Sequence, residues 1–170
     1  MALPASGPPV LAVCGLKNTG KTTLLTKLIP ILTGQGLMTA VIKHDGHEFE
    51  ADVPGTDTWR LARAGAYGVG IYSAGQYLVR KKQSGTQAFD LAAFFPEADL
   101  ILLEGGKTAA WPKIEIWRRG LTRELAGRPP HWAVCTDDDN LSPEDLPAGV
   151  PVLSLDDPES LARLILTRLG

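Results

Sequence analysis

Eight residues restrict what this chain can fold into more than any others: Gly15-Leu16-Lys17-Asn18-Thr19-Gly20-Lys21-Thr22. They satisfy the pattern G-x-x-x-x-G-K-[ST], whose glycines let the backbone turn so that several N–H groups face one phosphate. The pattern carries weight only between a strand and a helix, and both flanks are present. Val10–Cys14 is a short apolar run that suits a strand buried on both faces. From Lys21 to Thr33, Leu24, Leu25, Leu28, Ile31 and Leu32 recur at helical spacing on one side. Pro30 predicts a kink or an early end there. The start of that helix adds a partial positive charge at the phosphate. Lys21 is then the point charge for the β- and γ-phosphates, and Thr22 the hydroxyl for Mg²⁺. Thr19, Gly20 and Thr23 complete the candidate nucleotide-binding set. Lys17 and Asn18 either reach phosphate or belong to a solvated loop.

The remaining chain alternates strand and helix signals. Leu37–Lys43, Asp99–Glu104, Trp132–Thr136 and Val150–Leu153 read as strands, and Lys113–Arg118 alternates polar and apolar as a half-exposed strand does. Asp57–Ala64, Gln87–Phe95 and Asp157–Leu169 read as helices, the last with Asp157 as N-cap and Pro158 in its first turn. Tyr67–Ser73 and Gln76–Arg80 read as strands joined through Ala74-Gly75, an extra β-hairpin that interrupts the rhythm. Residues 1–9 form a short lead-in, without a basic segment followed by an apolar one, and residues 10–170 a single domain. The expected fold is α/β: a three-layer P-loop NTPase fold, with a mainly parallel twisted sheet between helices.

A phosphate loop needs an acid for Mg²⁺ at the carboxyl edge of a neighbouring strand. Glu104 closes its strand and takes that role, directly or through water, whereas Asp99 opens the strand and belongs at the far side. The net charge of −2 excludes a uniformly basic nucleic-acid binder. No apolar run approaches the ~18 residues of a membrane helix. Cys14 and Cys135 sit in apolar runs, so a reducing cytoplasm is expected. The polar segment from Lys43 to Asp57 packs His44, Asp45, His47, Asp52 and Asp57 together. Either it holds a metal, or it is a loop that senses phosphate or substrate.

GLKNTGKTTL, VIKHDGHEFEADVPGTDTWRLARAGA and DLILLEGGK together resemble the molybdopterin-guanine dinucleotide biosynthesis protein B family. The resemblance covers about residues 10 to 118. The phosphate loop is common to many NTPases, but the histidine-rich loop running on to Arg60, Gly65 and Ala66 is far more specific. Gly106 departs from the family, where a bulky residue is expected between Gly105 and Lys107. The resemblance implies a homodimeric GTP- and Mg²⁺-binding protein with weak GTPase activity, assisting a molybdopterin guanylyltransferase that joins GMP to molybdopterin. It places the loop from His44 to Asp57 against the γ-phosphate, the dimer partner or the pterin. For the base, Asp137 after Thr136 either accepts from the guanine N1 and N2 donors or belongs to a plain acidic turn, the simpler reading. Two other functions use the same loop. A small-molecule kinase would close an arginine lid drawn from Arg118, Arg119, Arg123 and Arg128, and a GTP-dependent metal chaperone would use His44 and His47 as ligands.

Overall fold

The computed structural model describes residues 7–46, 49–82, 85, 91–121, 124–141, 144, 146 and 148–170. The chain divides into two compact units, one formed by the residues up to His44 and from Ala88 onward, the other by Asp45–Gln87.

The larger unit holds strands β1 (Val10–Gly15), β2 (Thr39–Lys43), β5 (Leu100–Glu104), β6 (Lys113–Trp117), β7 (His131–Thr136) and β8 (Val152–Ser154). They form one sheet in the order β2-β5-β1-β6-β7-β8, every neighbouring pair parallel. Parallel strands need crossovers, so both faces are covered, and their residues feed two apolar layers by turns. Leu11, Val13, Leu100, Leu102, Ile114 and Ile116 face helix α1 (Lys21–Gly34) and helix α3 (Pro158–Leu169), packing on Leu24, Leu28, Leu161 and Ile165. Ala12, Ile42, Ile101 and Leu103 form a core with Ala98 and Trp111, and Trp117 and Val134 one with Leu146 and Val150.

Helix α1 runs through Pro30 to Gly34. Interior proline costs about 3 kcal/mol, but the turns on either side of it bury Leu24, Leu25, Leu28 and Leu32, each worth roughly 1.5–3 kcal/mol. The helix stops at Gly36 (φ +87°), whose N–H donates to the Thr33 carbonyl at 2.9 Å. At α3, the Asp157 carboxylate caps Ser160 N–H at 2.9 Å, as its position predicted. Strand β6 differs from expectation, since all five of its residues are buried. Its polar side chains find partners inside rather than water. Strand β8 begins two residues later than the apolar run suggested.

The smaller unit contains helix α2 (Asp57–Arg63) and a hairpin of strands β3 (Gly68–Tyr72) and β4 (Tyr77–Lys81), antiparallel, with Tyr72 opposite Tyr77. Ser73 N–H donates to the Gln76 carbonyl at 2.8 Å and closes the turn through Ala74-Gly75. The helix expected over 87–95 and the residues around His47 lie wholly or partly outside the described residues.

Candidate functional site

β1 lies inside the sheet, between β5 and β6, and ends at the loop singled out by sequence. Gly15 has φ +139°, and a Cβ there would stand 2.6 Å from the Ile116 carbonyl oxygen, so glycine alone lets the loop pass β6. Asn18 (φ 62°) and Gly20 (φ 95°) take left-handed conformations that curl the backbone round. Thr19 is turned inward and buried, its hydroxyl donating to the Leu16 carbonyl at 3.0 Å, so its side chain braces the loop. Lys17 and Asn18 are exposed, as are Thr22 and Thr23. The Lys21 ammonium donates to the carbonyls of Leu16 (2.6 Å) and Gly15 (3.5 Å). Burial lowers its pKa, and the charge of Glu104 opposes that shift. Among the described residues no side chain caps the start of α1, and its first turn holds no acid.

Glu104, at the end of β5, is 8% exposed. Its Oε1 accepts the Thr22 hydroxyl at 2.8 Å and lies 3.2 Å from Lys43 Nζ. Two residues 82 apart in sequence, chosen separately as Mg²⁺ ligands, therefore meet. Hard oxygens of this kind suit Mg²⁺. Asp99 is at the opposite end of the strand, where its Oδ2 accepts Met38 N–H at 2.7 Å. Lys43 was not singled out as a site residue, although its register opposite Glu104 follows from pairing β2 with β5. Gly106 takes φ +68°, and a Cβ there would meet the Leu103 side chain at 2.6 Å, so the departure at this position goes with a tight turn after Glu104.

Asp137 follows β7 at the same edge. Its Oδ2 accepts Arg118 Nη1 at 2.7 Å and its Oδ1 the Arg119 N–H at 3.0 Å. The Arg119 amide, then the Arg118 guanidinium, hold its carboxyl below the usual carboxylate range. Arg118 Nε also donates to the Thr19 carbonyl at 2.9 Å, so one guanidinium joins the phosphate loop to the turn at Asp137. Arg119 bonds to Asp139 at 2.8 Å. Two arginines that the kinase alternative would place in a lid are thus tied to the acidic turn, and Arg123 lies outside the described residues.

His44 N–H donates to the Glu104 carbonyl at 2.9 Å, and its side chain is exposed beside Gly105. In the smaller unit, Asp45 is exposed. Asp52 Oδ1 accepts Val53 N–H and the hydroxyls of Thr56 and Thr58, which builds the turn before α2. Asp57 opens α2 and lies 3.6 Å from Arg60. His47 lies outside the described residues. Among the described residues, no three His, Cys, Asp or Glu side chains are grouped so as to hold a metal ion.

A parallel sheet, with a glycine-bent loop between an inner strand and a helix, gives an α/β fold like that of P-loop NTPases. Comparison narrows this further. Residues 10–137 match the family model described as molybdopterin guanine dinucleotide synthesis protein B. The molybdopterin-guanine dinucleotide biosynthesis adapter protein of Escherichia coli (strain K12) is 34% identical over 164 residues, covering 92% of this chain and 91% of the relative. Its counterpart in Haemophilus influenzae is 36% identical over 120 residues, covering 69% and 67%. The crystal structure of Bacillus subtilis MobB superposes with a TM-score of 0.77 at 27% identity, covering 95% of this chain and 98% of that one. The chain belongs to the molybdopterin guanine dinucleotide synthesis protein B family. Among the described residues, no helix is long and apolar enough to cross a membrane.

Proposed function

We propose that this chain is a GTP-binding accessory protein of molybdopterin guanine dinucleotide synthesis. It assists a guanylyltransferase that joins GMP to molybdopterin, and hydrolyses GTP slowly. The observation that carries the reading is the 2.8 Å contact of Thr22 with Glu104, beside the loop that holds Lys21. In this role Lys21 exchanges its carbonyl partners for phosphate oxygens. Thr22 and Glu104 hold Mg²⁺, which neutralises phosphate charge when bound. Asp137, kept ionised by its neighbours, has lone pairs left to accept from guanine N1–H and N2–H₂. The relatives' name, adapter protein, supports a partner in the same pathway. The binding of Arg118 and Arg119 at the acidic turn counts against a kinase lid.

The hairpin supports a homodimer. Ile71, Tyr72, Tyr77, Leu78 and Val79 are all more than half exposed, and a two-strand sheet leaves edges that a second copy can pair. Calorimetry of GTP and ATP with and without Mg²⁺ tests the nucleotide reading. GTP is expected to bind tighter than ATP, and tighter with Mg²⁺; equal, weak binding of both would overturn it. Light scattering at tens of micromolar is expected to give the mass of a dimer, and a monomer mass would refute the pairing.

A further inference from the structure

The smaller unit contains a cavity of about 360 Å³ that the phosphate-loop reading does not use. Among the described residues its walls carry Arg63, Arg80, Lys81 and Lys82 against one carboxylate, Glu50. That carboxylate is held by another group: its Oε1 accepts Trp59 Nε1 at 3.0 Å and stands 4.0 Å from Arg80 Nη1. Arg63 lies 5.6 Å over the Trp59 ring, a neutral partner that orients the guanidinium and leaves its charge in place. The chain as a whole is negative, so this excess of cations is local. Two aromatic rings complete the walls, Tyr67 at 70% and Phe49 at 73% exposure.

We propose that this cavity is a second ligand site, taking a small phosphate monoester that carries a planar ring. The volume is that of small-molecule pockets, which begin at roughly 300 Å³. The cations match a phosphate dianion, and arginine offers it paired donors. The exposed rings supply a face on which a flat heterocycle stacks. A free inorganic anion would use the cations and leave the rings in water, whereas a ring without phosphate would leave the cations unused.

The test titrates the full chain, saturated with GTP and Mg²⁺, with 1-naphthyl phosphate, followed by calorimetry and tryptophan fluorescence. Inorganic phosphate, 1-naphthol and a hexaglutamate peptide are run in parallel. Naphthyl phosphate is expected to bind at least tenfold tighter than either of its fragments. The double variant Lys81→Gln/Lys82→Gln is expected to weaken it at least tenfold, with the circular dichroism spectrum unchanged. Tyr67→Ala should cut the affinity for naphthyl phosphate and leave that for phosphate alone. Lys21→Ala, titrated without nucleotide, should bind naphthyl phosphate as the parent chain saturated with GTP and Mg²⁺ does. Loss of binding in Lys21→Ala would place the phosphate at the loop and overturn the proposal. So would naphthol binding as well as its phosphate, or the acidic peptide binding where naphthyl phosphate does not.

Discussion

Replacing Glu104 by Gln keeps the shape of the side chain and removes its charge. In the free protein the carboxylate stands 3.2 Å from Lys43 Nζ, which is 56% exposed. At that distance a pair of unit charges interacts by about 1.3 kcal/mol in water and about 5 kcal/mol at an effective dielectric of 20. The exposure of Lys43 puts the pair near the lower figure, about 1 kcal/mol. The Thr22 hydroxyl bond at 2.8 Å survives with a neutral acceptor and loses about 1 kcal/mol. The free protein therefore loses about 2 kcal/mol, a fall of roughly 4–8 °C in Tm. Nucleotide binding should respond differently with and without metal. With Mg²⁺ present, GTP affinity is expected to fall tenfold or more, because the cation loses a charged ligand. In EDTA it should change less than threefold, or rise slightly as a negative group leaves the phosphate's surroundings. Calorimetry in both buffers reads the ratio directly. Equal losses in the two buffers would show that Glu104 acts through packing and that the cation is held elsewhere.

Lys21→Ala should weaken GTP binding at least tenfold at unchanged circular dichroism, since the lost charge-assisted bonds are worth about 1.5–3 kcal/mol each. Asp137→Ala should reduce the preference for GTP over ATP by roughly 5- to 150-fold, the scale of two hydrogen bonds at about 1–3 kcal/mol, while competition titrations show binding of the phosphates retained. The Arg119 amide and the Arg118 guanidinium depress the Asp137 pKa, so the carboxylate stays charged down past the ordinary Asp range. The GTP preference should hold from pH 8 to pH 5 and fail only in stronger acid. Burial pushes both the Cys14 and Cys135 thiols up to about 12, so neither should react with a disulfide reagent at pH 8 until denaturant is added.

The phosphate loop was legible because its signal is local: strand, bend, lysine and helix lie within 25 residues of one another. Glu104 was legible because the end of a buried parallel strand points to one edge of the sheet. β6 was misread because Lys113-Ile-Glu-Ile-Trp alternates as a half-exposed strand does. The partners of Glu115 lie 11 to 16 positions further on or on another strand, and those of Lys113 are backbone carbonyls just before it. Glu115, 2% exposed, accepts the N–H groups of Ala126 and Gly127, sits 3.0 Å from His131 Nε2, and accepts weakly from the Cys14 thiol. Lys113 donates to the carbonyls of Ala109 and Trp111. Such a cluster satisfies buried charge through backbone N–H and carbonyl groups that no pattern of side chains reveals. The kinase alternative put Arg118 in a lid for the same reason, since its partners Thr19 and Asp137 come close only through the pairing of β1, β6 and β7.

The carboxyl edge of the sheet shows how charge is disposed before any ligand arrives. Glu104 is matched by Lys43, and Asp137 by Arg118. Lys21 differs, because its ammonium bonds to the neutral carbonyls of Leu16 and Gly15, and partial burial costs it solvation. A carbonyl dipole offsets an ammonium less than a full negative charge does. In the proposed role a phosphate would displace these carbonyl partners from Lys21, whose partners among the described residues include no salt bridge, and would offset the solvation that burial removed. The same phosphate approaches Glu104 with repulsion, which Lys43 and a divalent cation between the two would relieve. Under the proposed reading, triphosphate and cation would bind together at this edge more tightly than either alone.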